Sequence, residues 1–415
     1  MLNFRTLSAV ATVGMAVVLA SAGCSSSTSD SSTGSASASA SETASGGSSG
    51  SAGAIDPASA AQLQQVIDDV RVQFKAPGVQ AGVWTGDGEW IGSSGVAEVD
   101  TTQPVTPADH SRIGSITKTM TATVILQLID EGKIAFDDVI DTYVPGMPNG
   151  STATIKNLLE MQTGIPTYTG GTPVVDQYAA DPTTAFTPQQ LVDSVKDKPA
   201  MFAPGTQFFY SNTNYVLLGM VIEKVTGTSI ADNFGERLLT PLGMTQTSVP
   251  GTSTVLPEPF LSGVSTQTNP EGTIKDATNW NPSLAFTAGE VISTLDDLHK
   301  WGVALGTGEG ILTPATQQLR VDSVKTTVPP NSPERSYGMG IVNTAGWLGH
   351  TGEIPGYNTV VNHDPATGTT IVVMVNSDIT GGTEAKPVAP AVAAFEGLAE
   401  VMAGAGSPSA SAPSG

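Results

Sequence analysis

Residues Arg112–Met120 read RIGSITKTM, which places Ser115 and Lys118 three positions apart where an amphipathic pattern begins. Apolar residues recur through 124–129 and Gly132 follows them, so the pattern predicts a helix from near Ser115 to Gly132. Residues i and i+3 lie on one face of a helix, so the two side chains would lie one turn apart. One interpretation is a nucleophilic serine with a lysine base; the other is a helix-capping serine followed by a solvated lysine.

Two later stretches also carry side chains suited to catalysis or binding. Residues Phe208–Tyr215 read FFYSNTNY and precede a strongly apolar helical pattern, so Ser211 or Asn212 is a candidate helix cap. Residues Gly349–Tyr357 read GHTGEIPGY on a strand-like stretch, where the alternative is a Gly-rich turn with an incidental histidine. Each stretch, taken alone, leaves a purely structural interpretation open.

The sequence on either side of these motifs predicts a sheet covered by helices. Helical periodicity predicts terminal helices at 58–74 and 387–402. Strand patterns bounded by turn residues occur at 79–84, 90–99, 337–343, 357–363 and 370–376. Residues 115–302 are mainly helical by pattern. We therefore expect an α/β (α+β) fold, with an antiparallel sheet flanked by the N- and C-terminal helices, a mainly helical inserted subdomain, and a cleft between the two.

Composition narrows the classes of partner and cofactor. The 415 residues include 38 acidic and 17 basic ones, and the net charge of −21 would repel phosphate backbones, so no nucleic-acid partner is expected. Cys24 is the only cysteine, which excludes an intramolecular disulfide. His110, His299 and His363 lack metal-ligand spacing, so we expect structural or exposed roles for them and no metal site.

The termini predict export and flexible ends around one folded domain at 55–403. Residues 1–23 have a basic start, an apolar run and small residues, as in a signal peptide. Residues 24–54 begin with Cys24 and are nearly all Ser, Gly, Ala and Thr, which predicts a disordered linker, and 404–415 predict a disordered tail. The ending LASAGC resembles a bacterial lipoprotein signal, which implies a diacylglycerol on Cys24; a soluble secreted protein with a free thiol is the alternative.

The three motifs together resemble a known family. S-x-x-K at Ser115, Y-S-N at Tyr210 and H-T-G at His350 occur in the order found in penicillin-recognising serine hydrolases. The stretches NYVLLGMVIEKVTGTSI, TPLGMTQTS and TAGEVISTLDDLHKW are also similar to the branch of class C β-lactamases and D-alanyl-D-alanine carboxypeptidases. The resemblance implies a β-lactamase/DD-peptidase-like fold for 55–403 and no cofactor.

The resemblance also implies a role for each motif residue. Ser115 would be the nucleophile and Lys118 its proton acceptor, with Tyr210 shuttling protons and its phenol pKa lowered by Lys118. Asn212 would bind the acyl-side amide of the substrate. His350 stands where many relatives have lysine, so recognition of a substrate carboxylate should weaken as pH rises through neutrality.

Three further residues line the implied binding edge. Thr351 and Gly352 would form the strand edge on which substrate is laid, and the backbone N–H groups of Ser115 and Glu353 would form the oxyanion hole. Trp280 matches an aromatic residue that lines the cleft in similar carboxypeptidases, or else it belongs to the core.

One departure from the family concerns the free carboxylate of a peptide substrate. Carboxypeptidases of this branch often carry an arginine just before H-T-G, where this chain has Val342 or Asn343. Arg335 is the nearest basic residue, and it could substitute only if its loop folds over the cleft. Strict carboxypeptidase specificity is thus less well supported by the residues than acyl transfer.

The sequence therefore predicts an exported, lipid-anchored serine hydrolase that forms a covalent acyl-enzyme. The expected substrates are D-Ala-D-Ala-type stem peptides of peptidoglycan, and β-lactams should acylate it. A β-lactamase or esterase of the same fold is the alternative. A cell-wall binding or sensor module without turnover is a further alternative, although Ser115, Lys118 and Tyr210 argue against it because a pure binder needs no nucleophile.

Overall fold

The computed structural model describes residues 53–268, 272–324, 328–383 and 386–405, and within them one sheet of eight strands lies at the centre. Its strands are β1 (Gly53–Ala54), β2 (Gly78–Trp84), β3 (Gly88–Gly95), β4 (Arg335–Tyr337), β5 (Val342–Thr344), β6 (Trp347–Ile354), β7 (Tyr357–Asp364) and β8 (Thr369–Val375). The spatial order is β1-β3-β2-β8-β7-β6-β5-β4, antiparallel except that β1 runs parallel to β3. The predicted signal peptide, Cys24, most of the linker and the tail from 406 lie outside the described residues. Residues 53–54, predicted as disordered linker, form β1, and residues 404–405, predicted as disordered tail, are the end of α10.

Helices cover both faces of the sheet. The described α-helices are α1 (Pro57–Phe74), α2 (Thr117–Asp130), α3 (Ile155–Leu159), α4 (Pro173–Ala180), α5 (Pro188–Lys196), α6 (Asn212–Thr226), α7 (Ile230–Phe234), α8 (Leu295–Thr307), α9 (Pro314–Ser323) and α10 (Pro390–Ala405). The terminal helices α1 and α10 pack together on one face, and α8 packs on the other. This arrangement confirms the expected antiparallel sheet flanked by the terminal helices.

The alternation of side chains along β8 explains the two hydrophobic cores. Ile371 and Val373 belong to the core under α1 and α10, whereas Val372 and Met374 belong to the core shared with α8 and the helical subdomain. Successive side chains of a strand point to opposite faces, so a strand covered on both sides reads as a continuous apolar run. The apolar sequence of β8 therefore fixes it near the middle of the sheet.

Residues 337–343 were predicted as one strand, and that prediction is wrong. They form the ends of β4 and β5 and a turn between them. Gly340 in this turn has a φ of +65°, a conformation that L side chains rarely adopt, and a Cβ on it would collide with Ala122 of α2. The chain thus leaves the sheet here to pack directly against α2.

The edge of β6 faces the turn that precedes α2. Strand β5 pairs with β6 only through residues 347–349, so in the described residues no strand covers that edge from His350 onward. The 3₁₀ turn Gly114–Ile116 packs there instead. A Cβ on Gly114 would lie 2.6 Å from the backbone nitrogen of Glu353, and a Cβ on Gly352 would collide with the carbonyl oxygen of Ile113. Two glycines therefore permit this close approach.

Two other findings concern membranes and metals. No helix among the described residues is both long enough and apolar enough to cross a bilayer. In the same part of the chain, no group of three or more His, Cys, Asp or Glu side chains is arranged to hold a metal ion.

The close approach predicts that Gly352→Ala is destabilising. The added methyl group must push the carbonyl of Ile113 away, so we expect the free energy of unfolding in urea to fall by about 1–3 kcal/mol. Gly86→Ala is the matched control, because a Cβ there meets nothing within 4 Å, and its effect should stay within about 0.5 kcal/mol. Equal stability of the two variants would show that β6 and the turn are not in contact.

Candidate active site

Ser115 and Lys118 are in contact, as their spacing predicts. Ser115 lies in the 3₁₀ turn Gly114–Ile116, and Lys118 lies in the first turn of α2. Lys118 Nζ donates a hydrogen bond to Ser115 Oγ at 2.9 Å. Ser115 is not a helix cap, because the N-caps of the turn and of α2 are Ile113 and Ile116. Lys118 is not a solvated lysine, because it is 0% exposed.

The surroundings of Lys118 favour its uncharged form. Its Nζ also donates to the carbonyl oxygen of Ala288 at 2.6 Å, and no described carboxylate lies within ion-pair distance of it. Burial without a counter-charge lowers the pKa of Lys118 well below its usual value. A neutral amine next to a serine hydroxyl can accept its proton, so the pair can generate a nucleophilic oxygen.

Tyr210 lies beside this pair. Lys118 Nζ lies 5.0 Å from the centroid of the Tyr210 ring. Burial raises the pKa of Tyr210, and a hydrogen bond with Ser115 only partly opposes this. The expectation that Lys118 lowers the phenol pKa is wrong, because the pKa of Tyr210 is raised and burial is the largest cause. Tyr210 is therefore suited to donating a proton, which leaves Lys118 as the candidate base.

The segment after Tyr210 is held by a neighbouring loop. The backbone nitrogen of Asn212 donates to Thr167 Oγ1 at 3.3 Å, and its Nδ2 donates to Thr169 Oγ1 at 3.4 Å. Ser211 occupies the N-cap of α6 but makes no side-chain capping bond, and its buried Oγ has no partner among the described residues. Asn212 stays partly exposed, so its amide is available to a ligand.

His350 lies on β6, not in a turn, and its ring is buried at 3% exposure. Its Nδ1 lies 2.5 Å from the carbonyl oxygen of Thr351, while Nε2 has no partner in the described part of the chain. Burial, together with nearby Lys118, lowers the pKa of His350 to about 3. The expected change of charge near neutral pH is therefore wrong for the unliganded protein, and His350 is neutral throughout the range from about pH 5 upward.

The next residues of β6 form the open edge beside Ser115. Thr351 and Glu353 are partly exposed, and Gly352 is the glycine that lets the turn Gly114–Ile116 approach β6 closely. Because Gly114 touches the backbone of Glu353, the amide groups of Ser115 and Glu353 are neighbours. Two adjacent backbone N–H groups are suited to holding the oxygen of an attacked carbonyl.

Other predicted residues lie farther from this centre. Trp280 is half-buried and packs edge-on against Tyr178, with ring centroids 6.1 Å apart; none of its described contacts joins it to Ser115. Arg335 lies on β4, and it lines a small cavity with residues 351–353.

The remaining histidines are structural. The ring of His110 contacts the carbonyl of Pro259, His299 stacks on Trp84, and His363 contacts the hydroxyl of Thr370. None of these contacts belongs to the centre around Ser115.

Two contributors to the centre were missed by sequence reasoning. Ala288 supplies the carbonyl oxygen that Lys118 binds, and Tyr337 packs edge-on against His350 with ring centroids 5.7 Å apart. Ala288 lies in the stretch TAGEV, which carried a family signal without a role for its carbonyl. Tyr337 gave no signal, because its position depends on the turn between β4 and β5.

Two of the solved structures that share this architecture are those of an amidohydrolase and an amidase. A D-stereospecific amidohydrolase from Streptomyces sp. is 31% identical, with a TM-score of 0.69 over 82% of this chain and 97% of its own. D-amino acid amidase from Ochrobactrum anthropi SV3 is 27% identical, with a TM-score of 0.73 over 84% of this chain and 100% of its own.

Two curated relatives are penicillin-binding proteins. The putative penicillin-binding protein PbpX of Bacillus subtilis (strain 168) is 28% identical over 273 residues, 65% of this chain and 63% of the relative. Penicillin-binding protein 4 of Amycolatopsis lactamdurans is 31% identical over 210 residues, 49% of this chain and 51% of the relative. The chain thus spans less than two thirds of the length of each.

A family match extends over most of the folded residues. The beta-lactamase family matches residues 63–394, from α1 into α10, which covers both the sheet and the helical subdomain. This match confirms the resemblance and the fold expected from the three motifs. The chain therefore belongs to the beta-lactamase family of serine hydrolases.

Proposed function

We propose that this protein is an acyl-transferring hydrolase that forms a covalent acyl-enzyme at Ser115, cleaves peptides or amides built from D-amino acids, and is acylated by β-lactams. One observation carries the proposal: the amine of Lys118 is fully buried and lies 2.9 Å from Ser115 Oγ. A binding or sensor module has no use for this pair, because desolvating a lysine amine is costly unless its basicity is needed.

The acylation step follows from the positions of three side chains. Lys118 Nζ accepts the proton of Ser115 Oγ while Oγ bonds to the substrate carbonyl carbon, and the amides of Ser115 and Glu353 hold the resulting oxyanion. The oxyanion then collapses, the bond from carbon to the leaving nitrogen breaks, and the Tyr210 hydroxyl protonates that nitrogen. Lys118 then returns the proton to Tyr210. Ser115 now carries an ester, and Lys118 and Tyr210 are back in their starting protonation states.

Deacylation repeats the sequence with water. A water molecule loses a proton to the Tyr210–Lys118 pair and bonds to the ester carbon. The bond to Ser115 Oγ then breaks, Oγ regains the proton, and the carboxylic acid product leaves. Penicillins acylate by the same route, but their leaving nitrogen stays tethered to the acyl group, so the fate of the adduct depends on how water reaches it.

The D-Ala-D-Ala carboxypeptidase role predicted from the motifs remains our first candidate for the substrate. It is supported by the penicillin-binding relatives. A D-amino-acid amidase is the second candidate, favoured by the two amide-cleaving structural neighbours and by Val342 and Asn343 standing where an arginine would bind a free carboxylate. A β-lactamase or an esterase would use the same groups.

We also propose that the protein is exported and anchored through a lipid on Cys24. The support is the sequence alone: a signal-like segment at 1–23, the ending LASAGC, and a Ser/Gly-rich linker that would hold the folded domain away from a membrane. In detergent phase partitioning, we expect the wild type in the detergent phase and Cys24→Ala in the aqueous phase. If wild type and Cys24→Ala partition identically, the lipid anchor is ruled out and the alternative, a soluble secreted protein, stands.

The acyl-enzyme is tested by incubating the full-length protein with a fluorescent penicillin and following intact mass over time. We expect an adduct on wild type and none on Ser115→Ala. Because Lys118 is the base, Lys118→Met should label about 10²–10⁴-fold more slowly. Lys133→Met is the matched control, since Lys133 is an exposed lysine (48%) that lies beyond the C-terminal end of α2, and it should label like wild type.

The same experiment distinguishes the candidates. A lasting adduct favours a peptidase, and an adduct that disappears with release of product favours a β-lactamase. Equal labelling of wild type and Ser115→Ala would refute the proposed nucleophile.

A further inference from the structure

We propose that Glu353 selects the leaving group of the substrate by disfavouring one that ends in a free carboxylate and accepting one that ends in a neutral amide. The inference rests on the proposed acyl-enzyme at Ser115 and, within the proposed function, it places the amidase candidate ahead of the carboxypeptidase candidate. It concerns the side chain of Glu353, whereas the proposed oxyanion hole uses only its backbone N–H.

Strand register places that side chain in a cavity next to the nucleophile. Glu353 pairs with Asn358, and Thr351 pairs with Val360, so both side chains lie on the face of the sheet covered by α10. A cavity of about 50 Å³ opens there, lined among others by Thr351, Glu353, Asn358, Arg335 and Thr380. We call it the β6 cavity. Glu353 lines this cavity with its side chain, and its backbone amide lies next to that of Ser115.

The leaving group points toward this cavity. The departing nitrogen must be within reach of Tyr210, which donates its proton, and the ring of Tyr210 lies 6.3 Å from that of His350. The leaving group therefore extends along the open edge of β6. The ring of His350 lies on the opposite face of the sheet from the β6 cavity, but Gly352 lines that cavity at the edge itself. The terminal group of a leaving amino acid then lies at the mouth of the β6 cavity, between Thr351 and Glu353.

The charges around the β6 cavity do not favour a carboxylate. Asp378 is buried at 6% exposure and is close enough to Glu353 that its charge helps to raise the pKa of that carboxyl group. Arg335 is the cation in the cavity wall, and it is already near the carboxylate of Glu396. His350 supplies no positive charge, because burial lowers its pKa to about 3, and Lys118 is an uncharged base in the proposed mechanism. A second carboxylate entering here meets more negative than positive charge.

The discrimination should depend on pH. Burial, followed by the charge of Asp378, raises the pKa of Glu353 to about 7, and burial raises that of Asp378 to about 6. Both groups lose their protons as pH rises through these values, so negative charge in the cavity increases between about pH 6 and 8. Repulsion of a substrate carboxylate should increase over the same range, whereas an amide should be indifferent to it.

Two peptides that differ by one charge test the proposal. We would measure kcat/KM of the full-length protein for diacetyl-L-lysyl-D-alanyl-D-alanine and for its C-terminal amide, from pH 6 to 8.5. The same D-Ala–D-Ala bond breaks in both. We expect a preference for the amide of about tenfold at pH 8 that shrinks toward pH 6, and a constant ratio near one in Glu353→Gln. Glu89→Gln, an exposed carboxylate on β3, makes the same change in net charge and should keep the wild-type ratio.

The contrary outcomes are equally specific. A wild-type ratio at or below one, or a ratio that Glu353→Gln leaves unchanged, would overturn the proposal. A loss of activity in Glu353→Gln that is equal for both peptides would also overturn it, because it would indicate a role in proton transfer. If neither peptide is cleaved by protein whose Ser115 is labelled by penicillin, the inference fails while the proposed nucleophile stands. Glu353→Thr, of different shape, provides a second variant if Glu353→Gln unfolds.

Discussion

The chemistry of this protein depends on burying one lysine amine without a counter-charge. Lys118 is enclosed by Ser115 in the turn Gly114–Ile116, by the carbonyl of Ala288 and by the ring of Tyr210. No described carboxylate pairs with it. Lys118 is fully buried, so its ammonium form loses its solvation and the pKa of the amine falls well below its usual value. The same burial keeps Tyr210 protonated and His350 neutral. In the proposed mechanism, the centre around Ser115 is uncharged before substrate binds and develops charge only as the reaction proceeds.

Building such a centre requires two structural units to meet closely. The turn Gly114–Ile116 carries Ser115, helix α2 after it carries Lys118, and β6 provides the open backbone edge. Glycines at 114 and 352 let the turn and β6 approach within contact distance. The turn at Gly340 closes the other side by leaving the sheet to pack on α2. Sheet and helices therefore act as rigid supports for a few polar atoms, which is how a preorganised site lowers the cost of stabilising an oxyanion.

Much of this arrangement could be predicted from the sequence, because its signals are local. The helix at 117–130, the sheet flanked by terminal helices and the pairing of Ser115 with Lys118 all follow from periodicity and spacing. The strand predicted at 337–343 failed because the break at Gly340 is imposed by contact with α2, which no local pattern records. The pKa expectations for Tyr210 and His350 failed for a similar reason, since burial is decided by residues distant in sequence. The environment of the Glu353 side chain could not be predicted from local patterns either, because it depends on Asp378, which follows β8.

The central claim is that Lys118 is an uncharged base in the resting protein. It is tested most directly by recording ¹³C NMR spectra of protein labelled at lysine Cε, with the Lys118 resonance assigned by its loss in Lys118→Met. We predict that this resonance titrates well below the usual lysine value of about 10.4, and that at pH 8 it shows the neutral amine while exposed lysines remain protonated. A Lys118 resonance that titrates together with the exposed lysines would contradict the account, because an ammonium group at neutral pH cannot accept the proton of Ser115.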